Sequence, residues 1–357
     1  MPTVAVVTGS LGMIGAEAAL FYGKASTIVV GVDNDLRRYF FGPEASTLTT
    51  LEALKAALGK RYRHHHIDIR DCAAIKKVFN HYGNDIELII HAAAQPSHDW
   101  AGQEPVTDFS INATGTLNLL EAMREYCPDA VFILMSTNKV YGDNPNRLPL
   151  IEEETRWSVE RSHPYARGIP EEMSIDCCLH SLFGVSKTAG DLAAQEYARY
   201  FGCKTGIFRA GVVSGPRQLG AQLHGFLSYL IKCAVTGTPY CILGYKGKQV
   251  RDIIHAADVI AALDAFSRAP RRGEVYNLGG GQRCNISVLE AIRLVEDITE
   301  TRMHVEYSDT PRRGDHIWYV SDVTKLETHF PGWIRTYPDV RSIAEEVYAA
   351  IRDRWAR

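Results

Sequence analysis

The sequence predicts an α/β fold, a doubly wound parallel sheet with a smaller C-terminal lobe. Two observations predict it: short β-branched runs alternate with helix-like stretches through the first part of the chain, and the first run ends in a glycine-rich turn that opens a helix. At about 150 residues per domain, 357 residues suggest two domains, or one large domain carrying a cap.

Val4 to Thr8 is the first expected strand, ending at Gly9, and Thr27 to Val32 the second, ending at Asp33; the Ala-rich stretch Ala16 to Gly23 lies between them as a helix. Near-continuous apolar strands of this kind belong to buried parallel sheets. Further strands are expected at His64 to Ile69, Glu87 to Ala92, Ala130 to Met135 and Lys204 to Phe208. Helices at Leu51 to Gly59, Ala73 to His81, Thr114 to Tyr126 and Gly184 to Phe201 separate them. Beyond about residue 210 the alternation breaks into a helix (Leu223 to Thr236), a strand (Tyr240 to Leu243), a turn (Gly244 to Gly247) and mixed elements. The expected division is a main domain over 1–210, with 250–268 packing back on it, and a lobe formed by 211–249 and 269–357.

Composition narrows the class. With 46% hydrophobic and 23% charged residues the chain is neither collagenous, disordered nor a membrane channel, and a net charge of -3 supplies no field to gather nucleic acid or an anionic membrane. Met1 to Gly9 runs straight into a strand pattern without a basic leader, and no run approaches 18 apolar residues. Eight scattered cysteines, without paired spacing, disfavour zinc and a disulfide scaffold, and a reduced, cytoplasmic setting is expected. His64-His65-His66 sits at a strand start, where consecutive side chains face opposite ways, so no metal is expected there.

Thr8-Gly9-Ser10-Leu11-Gly12-Met13-Ile14-Gly15 follows the first strand and opens the first helix, the context in which such glycines cradle a dinucleotide. Gly9 permits the tight turn, Gly12 admits a pyrophosphate to the helix N-terminus, and Gly15 lets helix and sheet approach. Met13 and Ile14 lie between the last two glycines. Asp33, with Asn34 beside it, stands where a carboxylate accepts the adenosine ribose hydroxyls and repels a 2′-phosphate, which selects NAD over NADP.

The TGxxGxxG spacing resembles the extended short-chain dehydrogenase/reductase family, whose fold is Rossmann-type. The resemblance extends to Asp68-Ile69 on the adenine side, His91-Ala92-Ala93-Ala94 beneath the cofactor ribose, Asn112 and Lys187. It implies catalysis by a Ser or Thr after a central strand together with Tyr-x-x-x-Lys, the lysine holding the nicotinamide ribose and making a phenol of pKa ~10 competent as a base. Ser136-Thr137-Asn138-Lys139-Val140-Tyr141-Gly142-Asp143 supplies Thr137, and Lys187 is present; the Tyr position of His180-Ser181-Leu182-Phe183-Gly184-Val185-Ser186-Lys187 reads Phe183. Three accounts fit: an engineered Tyr-to-Phe change, a natural variant with another base, or a binding protein without turnover. Replacement bases expected near the site are Lys139, His180, Asp176 and Tyr165.

Family dehydratases carry an Asp-Glu pair after the Thr, since expelling water needs a proton donor; Asn138-Lys139 stands here instead, and the string resembles the CDP-paratose 2-epimerase group. Gly247-Lys248-Gln249-Val250-Arg251-Asp252 and the stretch 168–181 resemble it too. By the same resemblance Arg251 and Arg312 bind a diphosphate and Asp315 a ribose, while Gln95, Asn138 and His224 are expected on the substrate side, with His98 as a further sugar contact. Ala210-Gly211-Val212-Val213-Ser214 departs from the family, which leaves the sugar open. The implied activity is an NAD-dependent epimerase of a nucleotide sugar working through a keto-sugar. The alternatives are a dehydratase or oxidoreductase on a related sugar or nucleoside, or a binding protein. A homodimer through the Asn112 to Tyr126 and Gly184 to Phe201 helices is implied, with Leu117, Leu119, Leu120, Leu192 and Tyr197 as candidate surface.

Overall fold

The computed structural model describes residues 3–25, 27–218, 225–312 and 314–355. The chain forms two compact units: the first is residues 1–137, 182–209 and 260–276, the second 138–181, 210–259 and 277–357.

The first unit is built on a seven-stranded sheet. Its strands are β1 (Val4–Thr8), β2 (Ile28–Val32), β3 (Tyr62–His65), β4 (Ile86–His91), β5 (Val131–Thr137), β6 (Lys204–Ala210) and β7 (Glu274–Leu278), in the order β7-β6-β5-β4-β1-β2-β3. The β1–β2, β1–β4, β2–β3 and β4–β5 pairs are parallel, and Thr8 lies in register with both Val32 and His91. The order reverses between β1 and β4, and the crevice beyond the strand ends at such a reversal is where α/β sheets bind ligands. β1 is buried along its whole length, as a strand covered on both faces requires. Helix α1 (Met13–Lys24) packs Gly15, Ala16, Ala18, Ala19, Tyr22 and Gly23 inward, small residues that let it lie close.

Four expectations are corrected. The third strand ends at His65 rather than Ile69, because Asp68 folds the chain into a turn, its side chain taking the Arg70 N–H at 2.9 Å. The seventh strand comes from 274–278, a segment expected in the lobe. The 250–268 stretch divides. Val250–His255 pairs with Val212–Ser214, Asn285–Ser287 and Trp318–Tyr319 in a four-stranded sheet of the second unit, whereas the chain from Ile260 belongs to the first, with Phe266 packed on Phe208 and Tyr276. Residues 138–181 also group with the second unit.

The second unit has its own core, in which helices Phe226–Thr236, Val288–Thr299 and Val340–Trp355 bury Leu230, Ile231, Val295, Ile343 and Val347 beside Ile253. Leu223, the expected start of the first of these helices, lies outside the described residues. Among the residues named for a subunit interface, Leu119 and Leu120 are core, while Leu117 and Leu192 are exposed. No described helix is long and apolar enough to cross a membrane.

Candidate active site

The turn after β1 has the shape of a phosphate cradle. Gly9 adopts φ +65°, its N–H donating to Val32 O, and a Cβ there falls 2.7 Å from the Ala93 nitrogen. A Cβ on Gly15 falls 2.1 Å from Gly9 O, so this glycine is required by packing alone. Gly12 differs: its added Cβ meets only Gly9 O, at 3.3 Å, and it caps α1 without a side-chain hydrogen bond. Among the described residues no other neighbour lies within 4 Å of that Cβ, and the N-terminus of a helix, whose first N–H groups have no intrahelical partner, suits a pyrophosphate. Met13 and Ile14 begin the helix just behind.

Asp33 ends β2. One carboxylate oxygen accepts the Leu11 N–H at 3.0 Å and the other the Asp35 N–H at 2.9 Å, which ties the acid to the glycine turn; burial raises its pKa against those two hydrogen bonds. Asn34 donates to Asp68 Oδ2 at 3.0 Å, and Arg70 grips the same carboxylate with two nitrogens. Burial raises the Asp68 pKa, yet the Arg70 hydrogen bonds outweigh it and the net shift is downward. Ile69 is buried, its side chain filling the space over Gly115.

At the end of β4, Ala92 donates to Thr8 O and Ala93 to Thr8 Oγ1, with Ala94 following. Thr8 Oγ1 meets His91 Nδ1 at 2.7 Å, and His91 Nε2 meets Thr116 Oγ1 at 2.9 Å; burial lowers this imidazole to about 3, so it is a neutral strut beneath the cradle. Gln95, expected on the substrate side, is 1% exposed. Its Nε2 donates to Asp108 Oδ1 and Ser97 O, its N–H to Asn112 Oδ1, and Asn112 Nδ2 reaches Ser186 Oγ. Its amide is turned into a buried network rather than toward a ligand.

Thr137 is the last residue of β5 and is half-buried. Lys187, on helix α2 (Ser181–Phe201), donates Nζ to Met135 O at 2.7 Å; burial lowers its pKa to about 8 against the pull of Asp191 and Asp108. One turn on, the fully buried Asp191 accepts Ser136 Oγ at 2.6 Å and forms a two-pronged pair with Arg209 at 2.9 and 3.0 Å. Phe183 is buried and lies edge-on to His98, ring centroids 4.9 Å apart.

The second unit carries the predicted nucleotide grip. Lys139 Nζ donates to Gly314 O at 2.9 Å and lies 3.4 Å from His316 Nδ1; burial lowers its pKa to about 7, Asp315 opposing and Arg251 and Arg312 adding to the fall. His316 Nε2 meets Gly142 O at 2.8 Å, and Asn146 bridges Asp315 O and the Ile317 N–H. The segment after Thr137 and the 312–317 loop are thus stitched together. Arg251 pairs with Asp315 at 2.7 Å and donates to His316 O, and Arg312 is half-buried on the same loop. Asn138 is buried. His180 is turned toward Ile175 O at 2.8 Å and the Cys178 thiol, Asp176 is exposed, and Tyr165 packs on His163. His224 lies outside the described residues.

Sequence reasoning missed Asp191, Asp108, Ser186 and His316. A signal was present for the first: an acid one turn after Lys187 in an Ala/Gly-rich helix, with Arg209 directly after the apolar residues Ile207 and Phe208 of a strand, is a charge pair that burial requires.

The family model described as GDP-mannose 4,6 dehydratase matches residues 6–338. CDP-paratose 2-epimerase of Salmonella typhi is 33% identical over 332 residues, covering 90% of this chain and 91% of that protein. A putative UDP-glucose 4-epimerase of Methanocaldococcus jannaschii is 29% identical, with 92% of each chain covered. Among solved structures, the UDP-glucuronic acid 4-epimerase from Bacillus cereus in complex with UDP-glucuronic acid and NAD has a TM-score of 0.78 at 26% identity, covering 99% of this chain and 100% of that one.

Proposed function

We propose, on the premise that this chain belongs to the GDP-mannose 4,6 dehydratase family, that it is an NAD-dependent epimerase of a nucleotide-activated sugar working through a transient keto-sugar. The observation that carries this reading is a complete dinucleotide cradle combined with Asn138 and Lys139 after Thr137. The first unit has the shape to hold NAD, and the segment after its central strand offers an amide and an amine where water loss needs an acid. The likeness to a CDP-paratose 2-epimerase points the same way.

NAD, when bound, supplies a two-electron oxidant that is regenerated in the cycle. The residues assigned to hold it are Gly9, Gly12, Met13, Ile14 and Gly15 at the pyrophosphate, Asp33 and Asn34 at the adenosine ribose, Asp68 and Ile69 at the adenine, Ala92, Ala93 and Ala94 under the ribose, and Lys187 at the nicotinamide ribose. Thr137 orients the carbinol hydroxyl. Arg251 and Arg312 take the diphosphate and Asp315 the nucleotide ribose, so binding exchanges the Arg251–Asp315 pair for contacts to the ligand. Phe183 favours a second reading, a protein that binds both ligands without turnover.

The protein is assigned to the cytoplasm, since all eight cysteines are free. It is assigned as a homodimer on Leu117, Leu182, Val185 and Leu192, exposed apolar side chains on the two helices with the latter three at helical spacing. The test incubates the NAD-loaded protein with CDP-glucose, UDP-glucose, GDP-mannose and dTDP-glucose and reads products by NMR and mass. An inverted carbinol at unchanged mass supports the epimerase; loss of water supports a dehydratase; NAD binding without any product supports the second reading.

A further inference from the structure

We propose that His98 is the proton acceptor that stands in for the missing phenol at position 183, an assignment that rests on the epimerase reading. Position 183 lies four residues before Lys187 on one helix and carries a ring that is 7% exposed and cannot ionise. Against that ring, at 4.9 Å between centroids and an interplanar angle of 62°, stands the half-buried imidazole of His98. The side chain packed on the residue that lost its base is thus itself a base.

The contact is held by built structure. Ser97, the cap of the short helix that His98 begins, donates its N–H to Gln95 Oε1; the Gln95 N–H donates to Asn112 Oδ1; Asn112 Nδ2 donates to Ser186 Oγ; and Ser186 Oγ donates to the carbonyl of Phe183 at 3.0 Å. This chain of hydrogen bonds starts beside His98 and ends on the backbone of residue 183, so the two rings are registered to each other. Gln95, Asp108, Asn112 and Ser186 are positioning residues for that pair, which accounts for a glutamine buried where a sugar contact was expected.

Of the candidates named from the sequence, Lys139 donates to Gly314 O, His180 lies 2.8 Å from Ile175 O, Tyr165 packs on His163 and Asp176 is exposed. An imidazole, ordinarily near pKa ~6.5, accepts a proton at neutral pH without the strong assistance a phenol needs. In the step, the carbinol O–H bond breaks and an N–H bond forms on His98; NAD, when bound, would be the two-electron acceptor that takes the carbinol hydrogen with its electron pair. On reduction from the other face the imidazolium returns its proton to the oxygen.

His98→Gln is expected to lower turnover of the sugar selected by the four-member panel about 100-fold or more, while Kd for NAD and for the nucleoside diphosphate stays within about threefold. His98→Gln/Phe183→Tyr restores a base at the other ring and is expected to recover at least about tenfold of that loss. Independently of activity, acylation of His98 by diethyl pyrocarbonate in the NAD-loaded wild type, read by peptide mass, is blocked by the nucleotide sugar. Full turnover by His98→Gln, no recovery in the double variant, or acylation unchanged by the sugar overturns the assignment, and the last holds even where a variant fails to fold. A wild type that binds NAD and turns over no sugar overturns the epimerase reading and this role together; an active wild type with an active His98→Gln overturns this role alone.

Discussion

Lys187 tests whether the first unit sacrifices stability for its chemistry. Its ammonium is buried, donates to Met135 O at 2.7 Å, and has its pKa lowered by burial from 10.5 to about 8. At ~1.4 kcal/mol per unit, holding that proton costs the folded state about 3 kcal/mol at pH 7. Lys187→Met keeps the length of the side chain and removes the charge, but forgoes the hydrogen bond to Met135 O, roughly 1–2 kcal/mol. The variant is therefore expected to be more stable than wild type by about 1–2 kcal/mol at pH 7, and inactive. The sign with pH follows from proton counts. The folded pKa lies below the unfolded one, so between about pH 8 and 10.5 the unfolded chain holds more protons and wild-type stability rises with pH on account of this group. Below about pH 8 the penalty is present in full. The advantage of Lys187→Met is thus expected to shrink by about 1 kcal/mol between pH 7 and pH 9, measured as the difference in guanidinium unfolding free energy at the two pH values. A difference that does not move with pH, or a variant less stable than wild type at pH 7, refutes the reasoning.

Gly12 and Gly15 separate binding from packing: Gly15→Ala drives a Cβ to 2.1 Å from Gly9 O and is expected to lower the melting temperature by roughly 10 °C or more, whereas Gly12→Ala, at 3.3 Å from the same atom, melts within a few degrees of wild type and weakens NAD binding about tenfold or more by calorimetry. Arg209→Met leaves Asp191 buried without its cation and is expected to cost about 3–5 kcal/mol in denaturant unfolding. Arg251→Met removes the partner of Asp315 and is expected to weaken nucleoside diphosphate binding roughly 10- to 100-fold with the Kd for NAD unchanged; a parallel loss of NAD affinity sinks that assignment.

Much of the first unit was legible in the chain because its signals are local. Val4 to Thr8 followed by three spaced glycines and, at the end of the next strand, an acid specify strand, turn, helix and ribose contact within 33 residues, and Leu11 N–H on Asp33 joins the two ends. The identity of NAD and the absence of an acid pair after Thr137 are likewise sequence facts, since they depend on which residue type occupies a place in a motif. Tertiary structure decided what depends on long-range pairing. The seventh strand is a five-residue run that becomes a strand only because β6 has an open edge beside it. Gln95, expected on the substrate side, is a buried strut, because Asp108 and Asn112 reach it from a helical stretch that follows later in the chain. The same holds for the missing base. Phe183 announced a vacancy in the motif, but which side chain faces it is set by how the loop after β4 folds onto α2, a distance of 85 residues along the chain that no local pattern encodes and that a short chain of buried hydrogen bonds closes.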